Sequence, residues 1–516
     1  MTPAGAIHAW NVGKQHKMVI VSNRLPVVVQ DKGEGQWEVK SGSGGLVTAL
    51  APVLRDRGGT WIGWPGHVDK DSQGVDDLLR KHDEEIGYSL RPVMLDDEEV
   101  ENYYKGFSNE TLWPLFHDLI DHSQFKPEYW DAYQRVNRKF AEVVKSNIEP
   151  EDFIWIHDYH LISVISYLRE MGVKNKVGFF LHIPFPPTDI YSRLPSRLEV
   201  LNAMLAYDLV GFQSARDRRN FVQSVRSLKD KPKIKGKGQV IGIQGEMGKL
   251  KAGVFPISID YKEFNSAAQS AEVAQSSSVL RQLFPNQKII LGVDRLDYTK
   301  GIPERLRSFR EALRRFPELI GQLSMIQILV PSRRDIHKYE DLKIEIERMI
   351  AEINGEFTRP GWLPIEYQFR SLDRKELLAY YRVADIMMVT PLKDGMNLVA
   401  KEYCACNIEG NGVLILSEFA GTAAQLKLGA ILVNPHDTVE CAEAIFMAFH
   451  MEEKDRKIKM QKLRRNVNRS DIFDWVDSFL KAAFSIGLGS FPLLADYRPL
   501  KEGREAVIRV ESTGTL

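Results

Sequence analysis

At residues 288–301 the chain reads Lys288-Ile-Ile-Leu-Gly-Val-Asp-Arg-Leu-Asp-Tyr-Thr-Lys-Gly301, and a helix-period segment from Pro303 to Arg315 follows. The apolar run Lys288 to Val293 predicts a buried strand, and the polar residues after it predict a loop. The order strand, loop and helix is the repeating unit of a parallel sheet covered by helices. This stretch therefore predicts an α/β fold.

The same unit recurs in both halves of the chain. In the first half we predict strands at Met18 to Val21, Phe153 to Ile156, Val177 to Leu181 and Leu209 to Phe212, with helices such as Leu161 to Met171 and Leu194 to Leu205. In the second half we predict further strands at Met325 to Val330, Ile365 to Phe369, Ile386 to Val389, Val413 to Leu416 and Ala430 to Val433, and a helix at Lys375 to Arg382. The repetition predicts two doubly wound parallel-sheet domains.

Chain length supports the same division, because 516 residues exceed what one hydrophobic core usually holds. We place a first domain at residues 1–257, a second at 258–484 and a tail at 485–516, with the junction near Gly253-Val-Phe-Pro-Ile-Ser-Ile-Asp260. The pattern Asp471 to Phe484 predicts a helix that packs back across this junction. We expect the active site in the cleft between the domains.

Composition excludes several function classes. Lys plus Arg and Asp plus Glu both number 69, so no global field attracts the chain to nucleic acid or to an anionic membrane. The Lys- and Gly-rich stretch Asp230 to Lys249 is accordingly interpreted as a solvated hairpin or loop. Three cysteines make neither a disulfide framework nor a zinc pattern, and no apolar run reaches the ~18 residues that span a bilayer. We expect a cytoplasmic protein without metal or cofactor. The sequence leaves open whether it forms a homo-oligomer.

Polar residues follow three predicted strands of the first half. Ligands of open α/β sheets bind beyond the carboxyl ends of strands, so these residues are candidates for a site. Arg24 could bind a phosphate dianion with its planar fork, although a lone surface ion pair is the commoner role. Asp158 could hold sugar hydroxyls or cap the helix beginning near Leu161. His182 alone would usually be a core residue, but three such candidates favour a shared site.

A glycine-rich turn, Ser41-Gly-Ser-Gly-Gly45, precedes the helix pattern Leu46 to Leu54. Small residues let backbone N–H groups at a helix N-terminus approach a ligand. The spacing is neither the dinucleotide fingerprint nor a P-loop, so a plain flexible turn remains an equal alternative.

The second half contributes cations and carboxylates at its own strand ends. Arg295 and Lys300 precede a helix, where two cations can neutralise a diphosphate without a metal, although a solvated loop is equally consistent with this segment. The tip Pro331-Ser-Arg-Arg334 follows the next strand and is also cationic, although either arginine could simply pair with Asp335. Asp394 lies in the turn after Ile386 to Val389, and Glu402 lies on the helix that follows, where it could hold a ribose diol or simply interact with the helix dipole.

These segments, taken in order, resemble the trehalose-6-phosphate synthase family of retaining glycosyltransferases. The resemblance covers about Met18 to Phe484. It rests on Ser22-Asn-Arg-Leu-Pro26, Ser43-Gly-Gly-Leu46, Trp61-Ile-Gly-Trp-Pro-Gly66, Tyr104 through Trp113, Ile156-His-Asp-Tyr-His160, Phe180-Leu-His-Ile-Pro-Phe185, Val293 through Gly301 and Asp394-Gly-Met-Asn-Leu-Val399.

The resemblance implies two facing Rossmann-like domains, the first binding the acceptor and the second the nucleotide sugar. It assigns to glucose-6-phosphate the residues Arg24, Tyr104, Trp113, Asp158 and Arg333. It assigns to UDP-glucose the residues Gly44, Gly45, Arg295, Lys300, Asp394, Leu398, Val399 and Glu402, with His182 beside the transferred glucose. The catalytic residues that it implies are His182, Arg295, Lys300 and Asp394.

The family's chemistry implies attack on the donor's front face, with the leaving diphosphate assisting removal of the acceptor proton. Arg295 and Lys300 would then stabilise the transition state, and no carboxylate nucleophile is needed. Arg334 departs from relatives that have Gly there. The alternatives are a related enzyme using ADP-glucose or another phosphorylated acceptor, and a non-catalytic regulatory relative. A nicotinamide dehydrogenase fits less well, because the glycine spacing differs from the dinucleotide fingerprint.

Overall fold

The computed structural model describes residues 17–31, 37–41, 46–47, 50–51, 54–55, 58–66, 72–245, 248–331 and 337–485. Four residues singled out from the sequence, Gly44, Gly45, Arg333 and Arg334, lie outside these ranges.

The first half of the chain builds one large sheet and a small ribbon. The strands are β1 Met18–Arg24, β2 Val27–Asp31, β3 Trp37–Ser41, β4 Gly59–Trp64, β5 Ser89–Pro92, β6 Phe153–His157, β7 Val177–Phe180, β8 Leu209–Phe212, β9 Lys233–Lys235, β10 Val240–Gly245 and β11 Gly248–Val254. The large sheet has the order β5-β4-β1-β6-β7-β8-β11-β10-β9, and β2 pairs with β3 as an antiparallel ribbon. The four strands predicted from the sequence, β1, β6, β7 and β8, are confirmed.

One edge of this sheet departs from the predicted parallel arrangement. The stretch Asp230 to Lys249, interpreted as a solvated hairpin or loop, does form a hairpin, but β10 and β11 are paired strands of the main sheet. β11 joins β8 in parallel, whereas β10 and β9 run antiparallel. Val240, Ile241 and Ile243 of β10 are buried, so apolar burial accounts for its pairing.

The second half forms a wholly parallel sheet, as predicted. Its strands are β12 Lys288–Arg295, β13 Leu323–Val330, β14 Ile365–Phe369, β15 Ile386–Val389, β16 Val413–Ser417 and β17 Ile431–Val433, in the order β14-β13-β12-β15-β16-β17. This is the doubly wound order in which the third, second and first strands are followed by the fourth, fifth and sixth. The first six parallel strands of the large sheet, β5-β4-β1-β6-β7-β8, repeat that order.

Helices cover both sheets. The α-helices are Ser72–Ile86, Asp97–Glu99, Trp113–Phe116, Pro127–Ser146, Val164–Glu170, Thr188–Tyr191, Arg197–Leu205, Ala215–Leu228, Tyr261–Ala268, Ala271–Gln282, Ile302–Arg315, His337–Phe357, Arg374–Val383, Leu398–Cys406, Ala423–Leu426, Thr438–His450, Glu453–Arg469 and Ile472–Phe484. A π-helix spans Val100–Leu112, and 3₁₀ turns span Ile120–His122, Tyr159–Leu161, Tyr298–Lys300 and Pro317–Leu319. The helix expected from Leu161 begins only at Val164, because the turn Tyr159–Leu161 precedes it. Among the described residues, no helix is both long enough and apolar enough to cross a bilayer.

The last described helix, Ile472–Phe484, packs on the large sheet, which agrees with the prediction that it returns to the first half of the chain. Phe479 stacks on Trp155 of β6, with ring centroids 4.2 Å apart and planes 7° from parallel. Gly178 and Gly211 make room for Phe479, since a Cβ on either would lie within 2.9 Å of its ring. A larger residue at these two positions would displace the helix.

Candidate active site

The loops that carry the predicted site residues follow strands at the point where the strand order of each sheet reverses. In the second sheet β12 neighbours β15, and the loops after them hold Lys300 and Asp394. In the first sheet β1 neighbours β6, and Arg24 and Asp158 stand at their ends. Such switch points leave a crevice for ligands outside the carboxyl ends of the strands. Each sheet therefore offers one crevice.

The two crevices meet across a shared gap. A Cβ on Gly395, after β15, would lie 2.3 Å from the carbonyl oxygen of His182, after β7. Two residues earlier in the same loop, Lys393 forms an ion pair with Asp118 of the first half, with Nζ and Oδ2 2.5 Å apart. At Gly395 the two backbones approach each other too closely for a side chain, which explains a glycine at this position.

Lys300 and Asp394 form an ion pair on the second sheet's side of the gap. Nζ of Lys300 lies 2.6 Å from Oδ2 of Asp394, and their side chains are 12% and 14% exposed. Burial alone would raise the pKa of Asp394, but the attraction of Lys300 outweighs it and the net pKa is lowered. Asp394 is thus ionised at neutral pH and fixes the ammonium group in place.

The loop that carries Lys300 is held by its own backbone. Gly301 has a φ of 62°, in the left-handed region, and a Cβ there would lie 2.4 Å from the carbonyl oxygen of Thr390. The amide of Leu392 donates to the carbonyl of Thr299 over 2.8 Å. The loops after β12 and β15 are therefore joined, which keeps Lys300 and Asp394 in register.

The helix Leu398–Cys406 begins at the same gap. Asn397, with a φ of 76°, accepts a hydrogen bond from the amide of Ala400 and caps the helix. The amides of Leu398 and Val399 have no acceptor among the described residues. Free N–H groups at a helix N-terminus attract anions, so these two amides suit a phosphate group.

Glu402 lies one turn further along this helix. It accepts a hydrogen bond from the hydroxyl of Tyr381 over 2.8 Å, and burial raises its pKa. Tyr381 is fully buried, so it orients one carboxylate oxygen rather than a ligand. The second oxygen remains for a hydroxyl donor such as a ribose diol.

Arg295 ends β12 with an exposed side chain. Within the described ranges it has no hydrogen-bond or ion-pair partner. Because Asp394 partly neutralises Lys300, Arg295 is the more available positive charge on this side of the gap.

Arg24 ends β1 on the first sheet's side, where it lies on aromatic rings. Its guanidinium carbon is 3.7 Å from the Trp64 ring centroid and 5.4 Å from that of Tyr104. Such contacts position the group without neutralising it. No carboxylate among the described residues pairs with Arg24, so the ion-pair alternative left by the sequence finds no support there.

Tyr104 lies in the first half of the π-helix Val100–Leu112, and Trp113 directly follows this helix. Tyr104 is partly exposed and stacks on His160, with centroids 6.0 Å apart. Trp113 is 6% exposed, and its ring lies 5.8 Å from that of Tyr159, the neighbour of Asp158. π-helices are frequent at functional sites, and this one brings both aromatic residues to the first crevice.

Asp158 takes the capping role that the sequence left open, and its contact with a sugar stays a prediction. Its φ of 74° is rare for a non-glycine residue. The side chain caps the turn Tyr159–Leu161 by accepting from the Tyr159 amide, and it also accepts from the amide of His182. Such backbone strain is commonly kept at functional sites.

His182 faces a second histidine. Its Nε2 lies 3.2 Å from Nδ1 of His157, so the N–H of one ring donates a hydrogen bond to the unprotonated nitrogen of the other. Burial lowers the pKa of His182 to about 3 and that of His157 well below its usual range. His182 is therefore a neutral imidazole, able to exchange a hydrogen bond with a sugar hydroxyl but not to supply positive charge.

Sequence reasoning missed several contributors. Trp64 was quoted only as part of a motif, and Lys393, Asp118 and Asn397 were given no role. The signal for Asn397 was present, since Asn tolerates the left-handed region better than most residues do. Among the residues that the structure describes, no group of three or more His, Cys, Asp and Glu side chains suits a metal ion.

Comparison with known proteins agrees with this geometry. The sequence profile of glycosyltransferase family 20 matches residues 16–484. The trehalose-6-phosphate synthase of Mycobacterium avium is 41% identical over 477 residues, which cover 91% of this chain and 95% of that protein.

Two solved structures extend the match to the fold. The UDP-forming α,α-trehalose-phosphate synthase from Burkholderia xenovorans, in complex with glucose-6-phosphate, gives a TM-score of 0.81 at 33% identity over 91% of this chain and all of that one. The E. coli trehalose-6-phosphate protein bound with UDP-2-fluoro glucose gives 0.80 at 33% identity, covering 91% of this chain and 99% of that one. The chain has their fold of two Rossmann-like domains and belongs to glycosyltransferase family 20.

Proposed function

We propose that this protein transfers glucose from UDP-glucose to glucose-6-phosphate, forming trehalose-6-phosphate and UDP with retention at the anomeric carbon. One observation supports this most directly: each side of a shared gap presents an arginine, Arg24 or Arg295, that no described carboxylate neutralises. Two anionic ligands can thus be bound face to face. The Burkholderia xenovorans and E. coli relatives, bound with glucose-6-phosphate and with UDP-2-fluoro glucose respectively, support the same pairing.

The donor would bind on the second sheet's side. The amides of Leu398 and Val399, together with Arg295 and Lys300, suit the diphosphate. Glu402 offers its remaining oxygen to the ribose diol. Gly44 and Gly45, which lie outside the described residues, stay predicted donor contacts.

The acceptor would bind on the first sheet's side. Arg24, held on Trp64 and Tyr104, suits the phosphate of glucose-6-phosphate, and the partly exposed Tyr104 would contact the sugar. Asp158 would accept from a sugar hydroxyl. Trp113 and Arg333 stay predicted acceptor contacts, the latter outside the described residues.

The reaction breaks the bond between the anomeric carbon and the diphosphate oxygen and forms one to the acceptor hydroxyl oxygen. The hydroxyl proton goes to the leaving diphosphate. Negative charge grows on that diphosphate as the bond breaks, so Arg295 and Lys300 would stabilise the transition state more than the ground state. Asp394 would hold Lys300 in place, and neutral His182 would bind a hydroxyl of the transferred glucose.

We also propose the domain division at residues 257/258, the tail from 485 and a cytoplasmic location, as the sequence predicts. We propose UDP rather than ADP as the nucleotide of the donor, because the relatives named above are UDP-forming or bound with a UDP sugar. Whether the chain forms a homo-oligomer stays open.

A coupled assay of nucleotide release tests the function. UDP should form only when UDP-glucose and glucose-6-phosphate are both present, and the product should carry an α,α linkage by NMR. No UDP release with both substrates would overturn the proposal. Faster turnover with ADP-glucose would instead support the related-enzyme alternative.

A further inference from the structure

A cavity distinct from the substrate gap lies beside the π-helix Val100–Leu112. Its volume is about 300 Å³, at the lower end of small-molecule sites. None of the residues that line it is among those assigned above to donor or acceptor.

Aromatic rings form much of the wall. Phe107 is buried and lies 5.1 Å from Trp130, centroid to centroid, whereas Phe125 is 41% exposed although it is large and apolar. The face of an aromatic ring carries partial negative charge, which attracts the polarised C–H bonds of a pyranose ring. An exposed phenylalanine at the mouth of a cavity suits such stacking.

A buried hydroxyl of the wall has no partner. Ser196 is 8% exposed, and its Oγ makes no hydrogen bond among the described residues. Ser196 precedes the helix Arg197–Leu205 but does not cap it with its side chain. The Oγ atom is closed off from the cavity as well as from bulk solvent, so it is not counted as a ligand contact.

The charges that line the cavity cancel. Lys126 and Glu199 are its two charged residues, one of each sign. Nζ of Lys126 donates to the hydroxyl of Tyr129 over 2.8 Å, so it is already engaged. Among the described residues Glu199 has no ion-pair partner and can accept from hydroxyl groups. The cavity thus differs from the cationic substrate gap and disfavours phosphorylated ligands.

We propose that this cavity binds an unphosphorylated saccharide, stacked on Phe125 and Trp130 and hydrogen-bonded to Glu199. Binding here does not depend on the transferase reaction, so it can be tested without turnover.

Titration calorimetry on the full chain, with glucose and α,α-trehalose as probes, tests the site. UDP and glucose-6-phosphate are added at saturation so that the substrate gap is occupied. Saturable binding of at least one probe should persist under these conditions. Phe125→Ala and Glu199→Gln should each weaken it roughly tenfold. Leu198→Ala is the matched control, because Leu198 is 43% exposed on the same helix as Glu199 but does not line the cavity.

Three results would overturn the proposal. The first is no saturable binding of either probe at millimolar concentration. The second is binding that UDP and glucose-6-phosphate abolish, which would place the sugar in the substrate gap. The third is binding that both cavity variants leave unchanged.

Discussion

Lys300 and Arg24, one cation from each side of the substrate gap, are held differently. Lys300 is 12% exposed and forms an ion pair with Asp394, whereas Arg24 is exposed and lies against the rings of Trp64 and Tyr104. The ion pair holds the ammonium group in one position but cancels part of its charge. The aromatic contacts leave the guanidinium fully charged but hold it less firmly.

This difference fits two tasks. A group that stabilises a transition state must be preorganised, because reorientation during the reaction lowers its benefit. A group that captures a phosphate benefits more from undiminished charge and from Arg's bidentate fork. Lys300 is therefore placed for chemistry and Arg24 for binding.

The largest effect is expected where charge stabilises the leaving group. Lys300→Ala and Arg295→Ala should each lower kcat by about 100-fold or more, with smaller changes in KM, because both act mainly on developing charge. Steady-state assays of UDP release measure this. Asp394→Asn is the companion variant, since it frees Lys300 from its ion pair.

If position matters more than net charge, Asp394→Asn lowers kcat as well, although it adds positive charge to the site. If kcat were unchanged in both Lys300→Ala and Arg295→Ala, neither residue would stabilise the leaving group. The contrast drawn above between Lys300 and Arg24 would then fail as well.

A smaller effect is expected on the acceptor side. Arg24→Ala should raise the KM for glucose-6-phosphate roughly ten- to a hundredfold, since it removes a charged hydrogen-bond donor to phosphate. UDP affinity by calorimetry should stay unchanged. Trp64→Leu tests the aromatic contact, because it keeps the positive charge of Arg24 and removes the ring against which Arg24 lies. A loss of UDP affinity in Arg24→Ala would contradict separate binding sides.

Much of this fold was predictable, because a run of β-branched residues that ends in polar residues predicts a strand without reference to distant parts of the chain. All six strands of the second sheet were predicted within a few residues, and so were four strands of the first. β4 was missed because Gly59-Thr-Trp-Ile-Gly-Trp64 lacks a strand's usual run of apolar residues. Without β4, nothing in the sequence could place Trp64 beside Arg24, although the two are register partners in the sheet.

The sequence predicted individual residues of the site but not which of them contact each other. Lys300 and Asp394 are 94 positions apart, and only the adjacency of β12 and β15 brings them together. The contact between Lys393 and Asp118 spans 275 positions and depends on how the two sheets face each other. Such pairings follow from topology, which local patterns do not encode.

That contact yields a third prediction. Lys393 is 10% exposed and Asp118 38%, and their ion pair joins the two sides of the gap. Lys393→Met and Asp118→Asn should show a coupling of about 1 kcal/mol in a double-mutant cycle of thermal or urea unfolding. Both variants should also change kcat a few-fold if the pair keeps the sides aligned. Additive effects would mean that the two sides are held together by other contacts.

The smallest predicted effect concerns pH. Burial lowers the pKa of His182 to about 3, below the 6.5 expected in the unfolded chain. Between these values the unfolded chain binds a proton that the folded chain does not, so stability is lost as pH falls below about 6.5. His182→Asn should therefore reduce the drop in the thermal unfolding midpoint between pH 7 and pH 5 by about 2 °C. His436→Asn, in an exposed turn after β17, is the control. If the drop in the unfolding midpoint were unchanged in His182→Asn, the lowered pKa of His182 would not contribute to stability. The neighbouring His157 alone would then carry the effect, and His182 could be charged in the folded protein.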